Sequence, residues 1–431
     1  MTNVLTRRKF SSSLALFIAD LSLYSRWGSS TEVFSNSAIA HFRTPYKLGK
    51  LVFGVSADPG AFDCQSVDDP FVFLHDGAFH MLYIGFDGIG YQTGLAKSTD
   101  LVTWERVACV ARRDPNSKYT RYNIALSCLL REDSLTSSGK LKKVHGRYLG
   151  AWHAYPNAGY EEGAAVIGVA WSSDLLHWEL TDPILFPADG APWEHGGLYR
   201  PNLIEHDGVY YLYYNAKTDP LPKSAGGGWH EQSGVATSRD LKQWTRYEGN
   251  PVLANGGPDS WDSRFTSNPF VVRHNGLWGM YYFGLDRRGV ARELFALGPD
   301  PYHFEKVNEI ILDRGEPGTV DETYAHKPCV IFSDSSLYHF YCAVSGKWPH
   351  EVRGISVARS KPWQKNNYRA GFSARTRYFP DSTVNSISPS LACVAITPAA
   401  FAAGDPFTTT APEAGESISI VAVAFTGMTN V

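Results

Sequence analysis

The stretch Gly94-Leu-Ala-Lys-Ser-Thr-Asp-Leu-Val-Thr-Trp104 returns twice with few changes, as Gly168-Val-Ala-Trp-Ser-Ser-Asp-Leu-Leu-His-Trp178 and Gly234-Val-Ala-Thr-Ser-Arg-Asp-Leu-Lys-Gln-Trp244. Two weaker copies extend from Gly289 to Phe304 and from Gly354 to Trp363. The aromatic residue that ends each copy recurs at intervals of roughly 60 to 74 residues, the scale of one repeated supersecondary unit. The sequence is therefore built as a tandem repeat.

A second repeated pattern lies upstream of each copy. It begins with a proline, passes through an apolar segment to an Asp-Gly or Asn-Gly pair, and ends in an aromatic segment, as in Pro70–Tyr83, Pro201–Tyr214 and Pro269–Tyr282. More divergent copies are Leu126–Trp152 and Pro328–Tyr341. A turn pair of this kind between two such segments is the strongest short-range hairpin signal. Each repeat is thus predicted to hold a hairpin followed by further strands.

These repeats predict an all-β protein, a five-bladed β-propeller of four-stranded antiparallel blades. The period suits four strands with variable loops, and no helical periodicity competes with it. Radial repetition also protects the sheet edges. The propeller is expected to span residues 45–363 as a single domain.

The two ends of the chain lack the repeat. Arg7 and Arg8 precede the apolar run Leu14–Ala19, a pattern that predicts a twin-arginine export signal within residues 1–40 and a periplasmic or extracellular location. The alternative is a chance arginine pair in a disordered N-terminus, because no clear cleavage site follows the apolar run. Residues 364–431 are expected to form a partly disordered tail, to which we assign no function.

The composition excludes several classes of function. The 431 residues carry 43 Asp and Glu against 40 Lys and Arg, a net charge of −3 that lacks the basic excess of a nucleic-acid binder. No apolar run reaches the roughly 18 residues of a membrane span. The six cysteines show no Cys-x-x-Cys pair and no zinc-site spacing, so we expect buried free thiols. The alternative is that two of them form one disulfide after export. The sequence predicts no metal ligands and leaves the oligomeric state open.

Together, the proline-led hairpin and the Gly-Val-Ala-x-Ser-x-Asp-Leu-x-x-Trp stretch resemble the five-bladed propeller glycoside hydrolases. These include the family 43 arabinanases and β-xylosidases, the relatives of invertase and levansucrase, the family 117 anhydrogalactosidases and the family 130 mannoside enzymes. The resemblance covers the whole repeat region. It implies a carbohydrate substrate and no cofactor, with at most a structural cation in the central channel.

The residues directly before the prolines are expected to meet at one mouth of that channel; they are Asp69, Arg200, Asn268 and Lys327. In the resembling families, an Asp-Pro in the first blade holds the general base or nucleophile. A glycosidase needs two carboxyl groups that flank the bond it breaks. Asp69 is therefore predicted as the ionised one, with Asp68 beside it at the substrate. An Asp that merely caps a turn is the structural alternative.

The second carboxyl group is harder to place. Acidic residues precede the proline by seven positions in four repeats, and such regular recurrence favours a structural role; they are Asp63, Glu194, Asp262 and Asp321. Glu194 stays a candidate acid because two glycines follow it closely. Glu322 and His326 are the other candidates, since family 117-like enzymes use a fifth-blade histidine as acid. The acids of the loops between second and third strands are expected to be solvated; they are Asp87, Glu161, Glu162, Glu231 and Asp286.

The sequence also departs from family 43, because the matching prolines follow Arg200 and Asn268 rather than acids. Arg200, Arg264, Lys327 and His326 would surround Asp69 with positive charge, which suits phosphate or a carboxylate on the sugar. Family 130 resembles this arrangement, and some of its enzymes are phosphorylases. Among the many aromatic residues, Trp152 and Trp229 are predicted to stack on sugar faces, with His153 nearby.

The resulting hypothesis is an exported glycoside hydrolase that releases a terminal sugar, furanosyl or related, by direct attack of water with inversion. Asp69 is the predicted base, and Glu194, Glu322 or His326 the predicted acid. A phosphate-dependent phosphorylase and a non-catalytic carbohydrate-binding propeller are the alternatives.

Overall fold

Strands dominate the part of the chain that the structure describes. The structure is a computed structural model, and it describes residues 39–222, 227–347 and 350–364. Two short 3₁₀ helices, η1 (Pro187–Asp189) and η2 (Pro192–Glu194), interrupt the strand series. Among these residues, no helix has the length and apolar character needed to cross a membrane.

The predicted export signal and the predicted tail lie almost wholly outside the described residues, and so does Cys393. The other cysteines are free thiols; they are Cys64, Cys109, Cys128, Cys329 and Cys342.

The described strands pair into four sheets of four, five, eight and four strands. A parallel contact inside the eight-stranded sheet divides it in two, and the five resulting groups are numbered here along the chain. The chain enters through β1 (Tyr46–Lys47). The first group is β2 (Ser66–His75), β3 (Ala78–Phe86), β4 (Tyr91–Ser98) and β5 (Glu105–Ala111). The second is β6 (Ala125–Leu129), β7 (Lys143–Val144), β8 (Arg147–Ala154), β9 (Val166–Ser172) and β10 (Glu179–Leu185). The third is β11 (Gly197–His206), β12 (Val209–Lys217), β13 (Glu231–Ser238) and β14 (Thr245–Arg246). The fourth is β15 (Phe265–His274), β16 (Leu277–Leu285), β17 (Ala291–Gly298) and β18 (Glu305–Lys306). The fifth is β19 (Tyr324–Ser333), β20 (Ser336–Ser345) and β21 (Val352–Arg359).

The fifth group takes its outermost strand from the opposite end of the chain. β1 pairs with β21, with Tyr46 opposite Arg359. β2 of the first group packs against β19 and β21, so the last group meets the first and the ring closes. The predicted all-β propeller with antiparallel sheets is thereby confirmed as the fold class, whereas the count of five four-stranded blades stays a prediction.

The innermost strand of four groups carries the same irregularity. In β2, β11, β15 and β19 the pairing register shifts at the residue before the proline, and that residue has a positive φ: 56° at Asp69, 51° at Arg200, 59° at Asn268 and 66° at Lys327. Non-glycine residues rarely adopt this left-handed conformation. Proline has no amide hydrogen for the strand ladder, so a bulge is one of the few places in a sheet that accepts it. The repeated proline thus fixes a bulge at one level of the ring.

The acids seven positions before these prolines form a second repeated arrangement, which we call the peripheral clusters. In each, the carboxylate accepts a hydrogen bond from a second-strand tyrosine and pairs with a cation on the fourth strand. The clusters are Asp63 with Tyr83 and Arg106, Glu194 with Tyr214 and Arg246, Asp262 with Tyr282 and Lys306, and Asp321 with Tyr341 and Lys47. Because the partners lie on separate strands, each cluster ties a blade together.

A loop of the second group, residues 131–141, closes the far end of the central channel; we call it the plug. The guanidinium of Arg131 donates to the backbone carbonyls of Val72 and Val330 and lies over the rings of Phe71 and Phe270, at 5.1 and 5.0 Å. Further backbone hydrogen bonds join the plug to the first, fourth and fifth groups. The plug therefore covers the ring on the side where the innermost strands end.

Candidate functional site

The bulges bring Asp69, Arg200 and Asn268 to the wall of one inner cavity, which Ser127 of the second group also lines. Asp69 is 7% exposed and forms an ion pair with Arg200. The space open to the centre of a water molecule there is ≈ 20 Å³, which suffices for about one water. Asp69 thus lies at a floor too narrow for a sugar ring, and its role as base stays a prediction.

Asp68 directly precedes Asp69 in the chain and is held by positive charge. Its Oδ2 accepts from Lys327 Nζ at 2.5 Å and Tyr160 Oη at 3.2 Å, and Arg353 Nη1 lies 3.6 Å away. Burial acts to raise the pKa of Asp68, but Lys327 and Arg353 outweigh it and hold that pKa well below its usual range. Asp68 is therefore an ionised anchor for the two cations.

His326 is buried beside Asp68, with the rings of Phe283 and Tyr324 at 5.2 and 5.6 Å. Burial and the charge of Lys327 lower its pKa to about 3. The imidazole is neutral near pH 7, so it holds no readily donated proton for the acid role that the sequence offered it.

The other two candidate acids have structural partners. Glu194 belongs to a peripheral cluster, where Tyr214 and Arg246 occupy its oxygens at 2.6 and 2.7 Å. The Glu322 carboxylate accepts from the backbone amides of Gly318 and Gly346 at 2.6 and 3.0 Å, and these bonds lower its pKa. Both carboxyls hold loops or strands in place, and their catalytic roles remain untested predictions.

Glu161, in the loop between β8 and β9, combines several marks of a functional carboxyl. Its backbone has a φ of 66°, a strained conformation for this residue type, and its side chain is only partly exposed. Its Oε1 accepts from Tyr91 Oη at 3.2 Å. Burial raises the pKa of Glu161, against the opposing charges of Lys327 and Lys217. This side chain therefore keeps its proton to higher pH than an ordinary glutamate.

Glu231 begins β13 where the third and fourth groups meet, paired across the junction with Phe265. It is 3% exposed. Its oxygens accept from Trp229 Nε1 at 2.8 Å and Asn215 Nδ2 at 3.1 Å. The Trp229 ring stacks on Phe265 at 6.0 Å, which fixes the indole donor. Glu231 is thus held in place by neutral donors.

Lys217, at the end of β12, connects the two glutamates. Its ammonium donates to the backbone carbonyl of Glu161 at 3.2 Å and lies 5.3 Å from the Trp229 ring. The rings of Tyr155 and Tyr199 stand 5.2 and 5.9 Å from the same atom. Glu161 and Glu231 both act on Tyr155 and Tyr199 to raise their pKa values, after the larger effect of burial. We call this set of residues the aromatic pocket.

The remaining predicted binding residues divide between pocket and core. Arg264 lies at the pocket rim, where its carbonyl accepts from the Glu231 amide at 3.0 Å. His153 is 1% exposed and bonds Ser127 through Nδ1 at 2.8 Å. Trp152 is 1% exposed and donates from Nε1 to the Val169 carbonyl, so its ring packs in the core instead of facing a sugar.

No group of three metal-ligating side chains lies together in the described ranges. The cation predicted for the channel remains untested.

Comparison with known proteins supports the family resemblance. Residues 139–313 match the model of the Glycosyl hydrolases family 32 N-terminal domain. A 1,2-beta-oligomannan phosphorylase of Thermoanaerobacter sp. (strain X514) is 27% identical over 159 residues, which are 36% of this chain and 44% of that protein. The chain thus spans less than half the length of this relative.

Solved structures match over more of the chain. One described as a complex of BT0996 and RGII is 28% identical with a TM-score of 0.65 and covers 77% of this chain and 96% of its own. Another, described as "Glycoside hydrolase", is 25% identical with a TM-score of 0.65, and the match covers 78% of this chain and 98% of that one. A third structure shares the fold at 16% identity and a TM-score of 0.56, and the match covers 74% of this chain and 96% of that one. Its description says that the GH130 family of mannoside phosphorylases contains glycoside hydrolases that target beta-1,2 mannosidic linkages in Candida mannan. The chain has the fold of the β-propeller glycoside hydrolases, as its repeats predicted.

Proposed function

We propose that this chain is a glycoside hydrolase that releases a terminal sugar from a glycan, with Glu161 and Glu231 as its two carboxyl groups. The observation that carries the proposal is their placement: two separately held carboxyls are linked through Lys217 and Trp229 around one aromatic pocket. Glycosidases need two carboxyl groups of different protonation. The fold relatives supply the reaction class.

Glu161 takes the role of general acid. An acid must hold a proton at working pH and release it to the leaving oxygen, which favours a pKa raised above the ordinary carboxyl value. Burial provides that rise, while Lys217 and Lys327 limit it.

Glu231 takes the role of general base toward water. The link from Glu161 to Glu231 runs through two intervening side chains, and an inverting enzyme needs the larger carboxyl separation that leaves room for water. We therefore propose inversion. Following the reaction by ¹H NMR tests it, because the first-formed anomer of the released sugar distinguishes inversion from retention.

We also propose exo action, and the plug at one end of the ring supports it. The plug seals the far end and the floor at Asp69 admits about one water, so substrate meets a pocket with a bottom. A pocket of this kind accepts the end of a glycan chain. We propose that the terminal sugar is furanosyl or related. The RGII of the solved complex supplies one glycan to test.

The deciding experiment measures sugar release from furanosides, pyranosides and oligosaccharides by the wild type and by Glu161→Gln and Glu231→Gln. Glu162→Gln is the matched control, because Glu162 is the exposed neighbour of Glu161. Loss of release in both pocket variants, with activity kept in the control, supports the assignment. Full activity in both pocket variants together with inactivity of Asp69→Asn would return the base role to Asp69.

Phosphorolysis is the second candidate, favoured by the oligomannan phosphorylase relative and by the cations at the channel mouth. Two of these cations, Lys327 and Arg353, share Asp68, and Arg200 pairs with Asp69, so much of their charge is neutralised. Release that requires phosphate and yields a sugar phosphate would establish this reaction. Defined sugar binding without any turnover would instead favour a binding propeller.

Export by the twin-arginine pattern remains part of the proposal. Replacing Arg7 and Arg8 with lysine is expected to retain the protein in the cytoplasm, as fractionation of cells would show.

A further inference from the structure

Lys217 differs from the other cations near the site. Lys327 and Arg353 share the Asp68 carboxylate, and Arg200 pairs with Asp69. Among the described residues, no carboxylate oxygen lies within ion-pair distance of Lys217; its partners there are a carbonyl oxygen and three ring faces. An ammonium has three donor hydrogens and no acceptor. Part of its donor capacity therefore remains available inside the aromatic pocket.

The ring of a second residue with an unused donor lies near this ammonium. Tyr155 is fully buried, and its hydroxyl has no hydrogen-bond partner among the described residues. Buried polar groups without partners are costly, and those that persist often serve a ligand. The Tyr155 ring lies 5.2 Å from Lys217 Nζ, so the two donors belong to one region of the pocket.

We propose that Lys217 and Tyr155 bind a carboxylate on the substrate, which makes an acidic sugar the preferred substrate class. This inference rests on the proposed function, since it assigns the glycan that the same pocket takes. A carboxylate accepts several hydrogen bonds, and a charge-assisted bond from an ammonium is roughly twice as strong as a neutral one.

Phosphate has related chemistry but fits the surroundings less well. Glu231, the proposed base, is bonded to Trp229, whose ring lies 5.3 Å from Lys217 Nζ, and like charges repel. One ammonium balances the single charge of a carboxylate, whereas a phosphate dianion brings a second negative charge for which the pocket holds no further unpaired cation among the described residues. The monoanion is therefore the better partner.

The test measures binding separately from turnover. Galacturonate, glucuronate, their neutral counterparts galactose and glucose, and inorganic phosphate are titrated into the full-length Glu161→Gln variant, with calorimetry and tryptophan fluorescence as readouts. At least one uronate is expected to bind about tenfold more tightly than its neutral sugar, a preference that weakens as salt is raised. Adding Lys217→Met removes the preference, Lys217→Arg keeps part of it, and the exposed control Lys242→Met leaves it unchanged.

The outcomes separate this inference from the proposed function. Equal affinity for acidic and neutral sugars, or no binding of any uronate, overturns the inference even if the wild type hydrolyses a neutral glycan. A Lys217-dependent uronate preference in a protein that hydrolyses nothing supports the inference while the proposed function fails. Phosphate that binds more tightly than either uronate, and only when Lys217 is present, overturns the carboxylate assignment and favours phosphorolysis.

Discussion

Two groups of buried carboxylates in this molecule have opposite surroundings. In the peripheral clusters, each carboxylate receives a tyrosine hydroxyl and a lysine or arginine, as Glu194 does from Tyr214 and Arg246. In the aromatic pocket, Glu161 and Glu231 receive neutral donors, and their shared cation, Lys217, contacts the Glu161 backbone instead of either carboxyl group. The comparison teaches that the repeated acids use their oxygens to hold the strands of a blade together. Glu161 and Glu231, which are not repeated, have no cation among the described residues bonded to their carboxyl groups and can still bind a ligand.

The largest expected effect separates the two groups by activity. Glu161→Gln and Glu231→Gln are each expected to reduce kcat by about 10²–10⁴, the usual contribution of a positioned acid or base. Glu194→Gln is expected to change kcat of the folded protein little, because its partners Tyr214 and Arg246 are not among the side chains that bond to Glu161 or Glu231. Kinetics on purified protein, with thermal melting to confirm folding, would check this. A large loss of kcat in Glu194→Gln alone would reverse the comparison.

Stability should separate the same groups in the other direction. Glu194→Ala leaves Arg246 and Tyr214 without their acceptor and is expected to cost about 1–3 kcal/mol of unfolding free energy. Glu161→Gln is expected to cost much less, since the amide keeps the shape and can still accept from Tyr91. Urea denaturation at pH 7 measures both. Equal losses would mean that Glu161 is as structural as the peripheral acids.

The pH dependence of kcat sharpens the description of the pocket. An acid works only while protonated, so activity falls as pH rises through the Glu161 pKa. Lys217 lowers that pKa, and Lys217→Met should raise it further. The fall of kcat on the alkaline side of the pH profile, here called the alkaline limb, then moves to higher pH by less than about one unit. Profiles on a neutral substrate test this, with Lys217→Arg as the charge-preserving control; a limb that moves to lower pH contradicts it.

The smallest effect is expected at His326. Its pKa of about 3 leaves the imidazole neutral from pH 5 to 8, so His326→Gln should not move the alkaline limb. The measurement is the same profile, taken per folded molecule. Loss of the limb in this variant would assign the acid role to the histidine.

The fold was readable from the sequence because its signals repeat. Each hairpin turn and each Asp-Leu-x-x-Trp segment predicts a local structure, and several copies reinforce one another. The prolines also predicted that Asp69 and its counterparts meet at one level, and Asp69, Arg200 and Asn268 do line one cavity. They do so at bulges inside strands and at a narrow floor, not at a channel mouth. The recurrence of Glu194 and its equivalents indicated a structural role, which the peripheral clusters display.

The pocket could not be read in the same way. Glu161 lies in a loop and Glu231 at the first residue of β13, outside the repeated motifs. The expectation that both are solvated fails because Tyr91 bonds to Glu161 and Trp229, two residues before Glu231, bonds to Glu231. Their proximity depends on how the second and third groups sit side by side in the ring. The run before Glu231, with Trp229 among glycines, was the one local signal, and it pointed to stacking on sugar instead of support for a carboxyl.

Pairing of β1 with β21 has a consequence for the order of events during synthesis. Tyr46 and Arg359 are about 310 residues apart in sequence, and contacts over such separations form late. The N-terminal strand leaves the ribosome among the first segments, yet its partner is made after all other blades. Until then, β1 has an unpaired edge that invites association with other chains. Chaperone protection of the nascent N-terminal region therefore matters more for this protein than for one whose blades each close with their own strands.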